Sequence, residues 1–251
     1  MLQAIALSKS FGGVRAVDEV SFRLAAGCVA GLIGPNGAGK TTLFNLIAGA
    51  LKPDRGRLLF EGRRLDGAPP HAVCAAGIAR TFQIPRPFAA MTVLENLMVA
   101  PRRQSGERFW RNWVSPGRIA AEERALRDKA RDLLAFLGLE ALAGRPARVL
   151  SGGQRKLLEL GRVLMADPRL ILLDEPGAGV NPALLATIVD KIAALNARGI
   201  GFLIIEHNMD LVMSLCRPVL VMAGGRLLME GSPAEVRADA RVRAAYLGAA
   251  A

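Results

Sequence analysis

Apolar positions along this chain recur with two different periods. Near the N-terminus, "AIALSKSF", "VDEVSFRL" and "GRLLFEGRRL" alternate and are separated by turn-forming residues, which predicts short strands. "CVAGLIG" is a continuous apolar run and predicts a buried strand leading straight into "GPNGAGKTT". "TTLFNLIAGAL" then takes up helical spacing and stops near "KPDRG", where Pro and Gly end it. The stretch 88–165 changes character, because "MTVLENLMVA" and "AEERALRDKARDLLAFLGL" are amphipathic helical patterns. "SGGQRKLLELGRVLMADP" predicts a third helix with Ser151 as N-cap and Asp167-Pro168 beyond its end. Afterwards strands and helices alternate: "LILLDEP", "PALLATIVDKIAALNARG", "GFLIIEH", "MDLVMSLC" and "PVLVMAGG". Such alternation implies a parallel sheet with crossover helices. A helical segment is thus expected between two halves of an α/β core.

Composition narrows this picture. The 251 residues are 51% hydrophobic and 5% aromatic, enough for a real core, and show no internal repeat. No apolar run reaches the roughly 18 residues of a membrane span. The opening "MLQAIALSKSF" lacks the parts of a signal peptide, so a soluble cytoplasmic protein is the default expectation. Cys28, Cys74 and Cys216 are scattered and form no zinc or disulfide pattern; they read as small buried hydrophobes. The net charge of +11 suits phosphates, acidic headgroups or nucleic acid. Residues 101–118 concentrate it, with five arginines against one glutamate around Trp110 and Trp113. That insert reads equally as a solvated loop and as a headgroup or partner contact.

The chemistry lies in five places. Gly34-Pro35-Asn36-Gly37-Ala38-Gly39-Lys40-Thr41-Thr42 contains G-x-x-x-x-G-K-S/T. Its glycines let backbone N–H groups turn around phosphates, Lys40 reaches the β- and γ-phosphates, and Thr41 offers a hydroxyl to Mg²⁺. "LILLDE" delivers Asp174 to the carboxyl edge of a sheet as a Mg²⁺ partner, with Glu175 next to it to polarise a water. Alone, paired acids after a strand also read as solvated loop charges. His207 follows another strand, where it could meet a γ-phosphate or simply lie at the surface. Gln83, in the loop "RTFQIPRP", could approach Mg²⁺ or the water. A second phosphate-facing element, "LSGGQ", carries Ser151, Gly152, Gly153 and Gln154 more than a hundred positions beyond the first.

In this order and spacing the motifs resemble an ATP-binding-cassette (ABC) ATPase over essentially the whole chain. The resemblance implies a P-loop NTPase (RecA-like) core with an N-terminal antiparallel β subdomain over 1–87 and 166–251. It implies an inserted α-helical subdomain over 88–165 that carries the signature. It also implies ATP and Mg²⁺ as cofactors, with Thr41, Gln83 and Asp174 serving the metal. Glu175 would be the catalytic base, His207 a γ-phosphate contact, and Gln83 a sensor of metal and water. Ser151, Gly152, Gly153 and Gln154 would act on the ATP of a second cassette. Phe11 matches the aromatic that stacks on adenine; alone it also reads as a core residue. Asn181 departs from the family's commoner Asp and carries no charge into the loop after the acidic pair.

A finer resemblance, through "KSFGG", "RTFQIPRPFAAMTVLENLMVA", "EPGAGVNP", "IIEHNMDLVM" and "AAYLG", is to the larger ATPase subunit of branched-chain amino acid importers and relatives serving amides or urea. It implies a second ATPase subunit, permease subunits and, indirectly, a periplasmic binding protein, with the chain peripheral at the cytoplasmic face of the inner membrane. The ATPase of a lipid or lipopolysaccharide exporter is the alternative. A soluble ABC protein acting on nucleic acid or the ribosome is less expected, since the chain holds one cassette and no zinc-type cysteine spacing.

Overall fold

The computed structural model describes residues 1–81, 86–101 and 116–247. In chain order the elements are β1 (Leu2–Phe11), β2 (Val14–Leu24), β3 (Val29–Ile33), α1 (Lys40–Ile47), β4 (Arg55–Phe60), β5 (Arg63–Arg64), α2 (Pro70–Ala75) and β6 (Ile78–Arg80). The helical middle holds α3 (Val93–Met98), α4 (Pro116–Leu137) and α5 (Gly152–Leu164). Then come β7 (Leu170–Asp174), α6 (Pro182–Asn196), β8 (Gly201–Ile205), α7 (Met209–Leu215), β9 (Val219–Ala223), β10 (Arg226–Gly231), α8 (Pro233–Ala238) and α9 (Ala240–Leu247).

The chain divides into two compact units: Met1–Gln83 with Pro168–Ala178 and Leu185–Ala251, and Ile84–Asp167 with Gly179–Leu184. The first unit contains two sheets. An antiparallel sheet runs β2-β1-β4-β5, and a six-stranded sheet runs β10-β9-β3-β8-β7-β6. In the latter β9, β3, β8, β7 and β6 are parallel, and β10 closes one edge antiparallel to β9. Strands β3, β7 and β8 are buried throughout, which is why "VAGLI", "LILLD" and "GFLII" are apolar without alternation. Leu7, Val20, Phe22 and Phe60 of the antiparallel sheet share one core with Leu43, Phe44 and Ile47 of α1 and with Leu172, Leu203 and Leu220.

The second unit buries Val93, Leu97, Leu134, Leu137, Leu158 and Leu164. Asn96, fully buried there, is satisfied: its Oδ1 accepts the Phe88 N–H at 2.8 Å and its Nδ2 donates to Thr92 O at 2.9 Å. Among the described residues no helix is long and apolar enough to cross a membrane.

Several elements differ from expectation. "GRLLFEGRRL" is a hairpin rather than one strand, because Glu61 and Gly62 both take positive φ between β4 and β5. α1 ends at Ile47, four residues short of the expected stop. Proline starts α4 at residue 116, five residues before the amphipathic pattern becomes clear.

Candidate functional site

The site is built at the carboxyl edge of three adjacent strands, β3, β8 and β7. In register, Leu32 and Asp174 both sit opposite Ile205, so the loops leaving these strands start at one level. β3 feeds the glycine-rich loop, β7 ends at Asp174, and β8 leads to His207.

The loop after β3 is shaped tightly. Gly39 has φ 96°, and a Cβ there would run into the carbonyl oxygen of Ala16 on β2. Helix α1 starts immediately after it, with no side-chain cap and no acid in its first turn. Its unpaired N–H groups and positive dipole end are therefore available to an anion. Lys40 is buried, and its Nζ donates to Gly34 O at 2.7 Å and Pro35 O at 2.9 Å. Burial lowers its pKa, opposed by the nearby carboxylates of Glu175 and Asp174.

A cleft of ≈ 340 Å³ opens here, walled by Asn36, Gly37, Ala38, Gly39, Lys40, Thr41 and Thr42 together with Glu175 and His207. Ala16 and Ile205, which the motifs do not point to, complete the wall. Across the cleft His207 Nε2 lies 2.9 Å from Glu175 Oε1. Glu175 holds φ 49°, a left-handed conformation rare for a non-glycine residue, and its N–H donates to Ile205 O at 2.9 Å. Asp174, 6% exposed, accepts from Arg80 through Oδ2 at 2.9 Å. The same guanidinium bonds Asn45 Oδ1 of α1 and lies 5.9 Å from the Phe44 ring centroid. Arg80 thus links strand β6, the phosphate-loop helix and the acid at the end of β7.

The remaining expected residues lie elsewhere. Phe11 ends β1, is 48% exposed beneath Lys9 Nζ at 5.7 Å, and is not part of the cleft wall. Gln83 lies outside the described residues, as do 102–115 of the basic insert with Trp110 and Trp113. Ser151, Gly152, Gly153 and Gln154 belong to the second unit. Ser151 caps α5: its Oγ accepts the Gln154 N–H at 3.2 Å while Gln154 Oε1 accepts the Ser151 N–H at 2.9 Å. Gln154 therefore has a structural task within its own helix. A Cβ at Gly153 would overlap the Leu184 side chain, so close packing requires glycine there. Asn181 Oδ1 accepts the Leu184 N–H at 2.9 Å, as an N-terminal cap of α6.

The donors suit a hard divalent cation. Thr41 and Asp174 offer oxygen, and Arg80 engages only Oδ2 of Asp174 among the described contacts. Among the described residues no cluster of three or more His, Cys, Asp or Glu side chains could hold a metal by itself. A site with few protein ligands fits Mg²⁺, which keeps waters and substrate phosphates in its coordination shell.

Comparison with known proteins identifies the family. Residues 17–178 match the family described as "ABC transporter", and residues 226–251 match "Branched-chain amino acid ATP-binding cassette transporter". A probable branched-chain amino acid transport ATP-binding protein LivG of Archaeoglobus fulgidus is 43% identical, covering 99% of this chain and 96% of that protein. The high-affinity branched-chain amino acid transport ATP-binding protein BraF of Pseudomonas aeruginosa is 37% identical, covering 100% and 98%. The crystal structure of the ADP conformation of an ATP-binding cassette of an ABC transporter superposes with a TM-score of 0.84 at 38% identity, covering 99% and 98%. The chain belongs to the ABC transporter family, as one of its ATP-hydrolysing cassettes.

Proposed function

We propose that this ATPase powers an importer of branched-chain or closely related amino acids. The observation that carries the reading is the match of residues 226–251 to the branched-chain amino acid cassette family, outside the part common to ABC cassettes. In this reading 1–87 and 166–251 form the core with its β subdomain, and 88–165 form the helical subdomain. Lys40 and the loop N–H groups of residues 34–42 hold the phosphates, and Phe11 stacks on the base. Thr41, Asp174 and Gln83 hold Mg²⁺, which when bound neutralises charge on the phosphate oxygens. Glu175 takes a proton from the attacking water as the new P–O bond forms and the bond to ADP breaks. His207 donates to a γ-phosphate oxygen. The 2.9 Å approach of His207 to Glu175 within the cleft supports their pairing in these roles.

Ser151, Gly152, Gly153 and Gln154 face the ATP of a second cassette, a related but smaller subunit, and closure of the two drives the permeases. A periplasmic binding protein supplies the amino acid, and the chain sits peripherally at the cytoplasmic face of the inner membrane. The test is ATP turnover by the chain assembled with permease subunits in vesicles. Valine- or leucine-loaded binding protein is expected to stimulate turnover several-fold. Stimulation by lipopolysaccharide or nucleic acid, with none by these amino acids, would overturn the reading.

A further inference from the structure

Glu206 is a buried acid that the proposed mechanism does not use. It follows β8, stands one residue before His207 and is 4% exposed. Its carboxylate is absent from the cleft wall but bonds both loops that carry the Glu175–His207 pair. Oε1 accepts the N–H of Gly177 at 2.6 Å. Oε2 accepts the N–H of His207 at 3.0 Å and of Asn208 at 3.3 Å. With little water around it, these backbone donors are what solvate the charge, and the same bonds fix the donors in place.

Gly177 is two residues beyond Glu175, whose left-handed backbone must be held by its surroundings. On one side the hold is the ladder, through Asp174 opposite Ile205 and the Glu175 N–H on Ile205 O. On the other it is Glu206 on the Gly177 N–H, together with the Ala178 N–H on Glu175 O at 3.1 Å. Beyond His207, Asn208 Oδ1 accepts the Leu211 N–H at 3.1 Å, so the turn gripped by Oε2 is also anchored to α7.

We propose that Glu206 is a positioning residue for ATP hydrolysis: one carboxylate oxygen grips the loop of the base, the other grips the loop of its imidazole partner, and together they set the separation of Glu175 and His207. The inference rests on Glu175 acting as the base. Glutamine at 206 is nearly isosteric but has a single acceptor oxygen, so it can serve one loop only. Alanine at 177 attacks the same bond from the other end, since its Cβ would lie 2.8 Å from Oε1 and displace it.

Full-length protein carrying Glu206→Gln, Gly177→Ala, both, or Glu175→Gln is compared with wild type. ATP affinity is read with a fluorescent ATP analogue, and kcat and KM by phosphate release. For Glu206→Gln and for Gly177→Ala we expect affinity and KM within threefold of wild type and kcat reduced tenfold or more. The double variant is expected to lose little beyond the larger single loss, because both changes break one linkage. Should Glu206→Gln fail to fold, Gly177→Ala is judged by the same kcat and KM criteria. A kcat within twofold of wild type, a loss confined to ATP affinity, or single losses that multiply in the double variant would overturn the positioning role while Glu175→Gln remains inactive. Wild-type turnover in Glu175→Gln would overturn the base assignment and this inference with it.

Discussion

His207 Nε2 and Glu175 Oε1 meet at 2.9 Å, although 32 residues separate them in the chain. The pair couples the loops after two neighbouring parallel strands and puts an imidazole against the carboxylate proposed to receive the water's proton. Glu175→Gln keeps the side chain's shape and a carbonyl acceptor for His207 but removes the basicity. The expected outcome is ATP binding within a few-fold of wild type and kcat lower by about a hundredfold or more. ATP-bound dimer should accumulate, visible by size-exclusion chromatography with ATP present. Turnover near the normal rate would remove Glu175 as base.

Arg80 carries the positive charge beside Asp174. Arg80→Met leaves a buried carboxylate without its partner, so the transition of thermal unfolding should fall. Breaking a fully buried pair typically costs ~3–5 kcal/mol. Arg80 keeps 20% of its side-chain surface in water, so a loss of about 2 kcal/mol is expected here. Adding Asp174→Asn should recover part of the loss. A double variant no more stable than Arg80→Met alone would show that the guanidinium acts through packing on Phe44 instead.

Ser151 and Gln154 cap α5 reciprocally, so Ser151→Ala should destabilise the protein by about 1 kcal/mol. Denaturant melts of the full chain would measure it, and an unchanged midpoint would contradict the cap. Ser151→Arg asks a different question. If the signature serves a second cassette's ATP, it should abolish dimer-dependent hydrolysis while leaving the monomer's nucleotide affinity largely intact.

Cys216 is fully buried, and burial first, then the negative charge of Glu206, pushes its thiol up to about 12. At pH 8 only about one thiol in ten thousand is then thiolate, the reactive form. Native protein should therefore resist iodoacetamide at Cys216 and become reactive there on unfolding, as read by peptide mass spectrometry. Above the ordinary thiol value of 9.0 the unfolded chain loses this proton first, so the contribution of Cys216 to stability declines as pH rises from about 9 towards 12. Rapid labelling of folded protein at pH 8 would contradict this.

Much of the molecule could be read from periodicity and motif. "LILLD" and "GFLII" have to be buried strands because nothing in them is polar before their ends, and Ser151 is an N-cap by residue type alone. The charged residues missed share one property. Arg80 and Glu206 are charged side chains at strand ends, where a sequence reads them as solvated. Only the assembled sheet brings Arg80 to Asp174, 94 positions away, and Glu206 to Gly177, 29 positions away. The short β6 escaped for another reason: three residues hold too few periods to register.

Lys40 donates to two carbonyl oxygens of the loop it closes. Its ammonium therefore works as a tie rod, drawing the two ends of the turn together from inside. Ordering the six residues of such a turn, 34–39, from a flexible chain would cost on the order of 10 kcal/mol. A triphosphate arriving at a turn braced in this way exchanges partners on a ring that is already cast, and its attraction to the amides goes into affinity instead of into shaping them. Removing the ammonium would then blunt the mould as well as the grip.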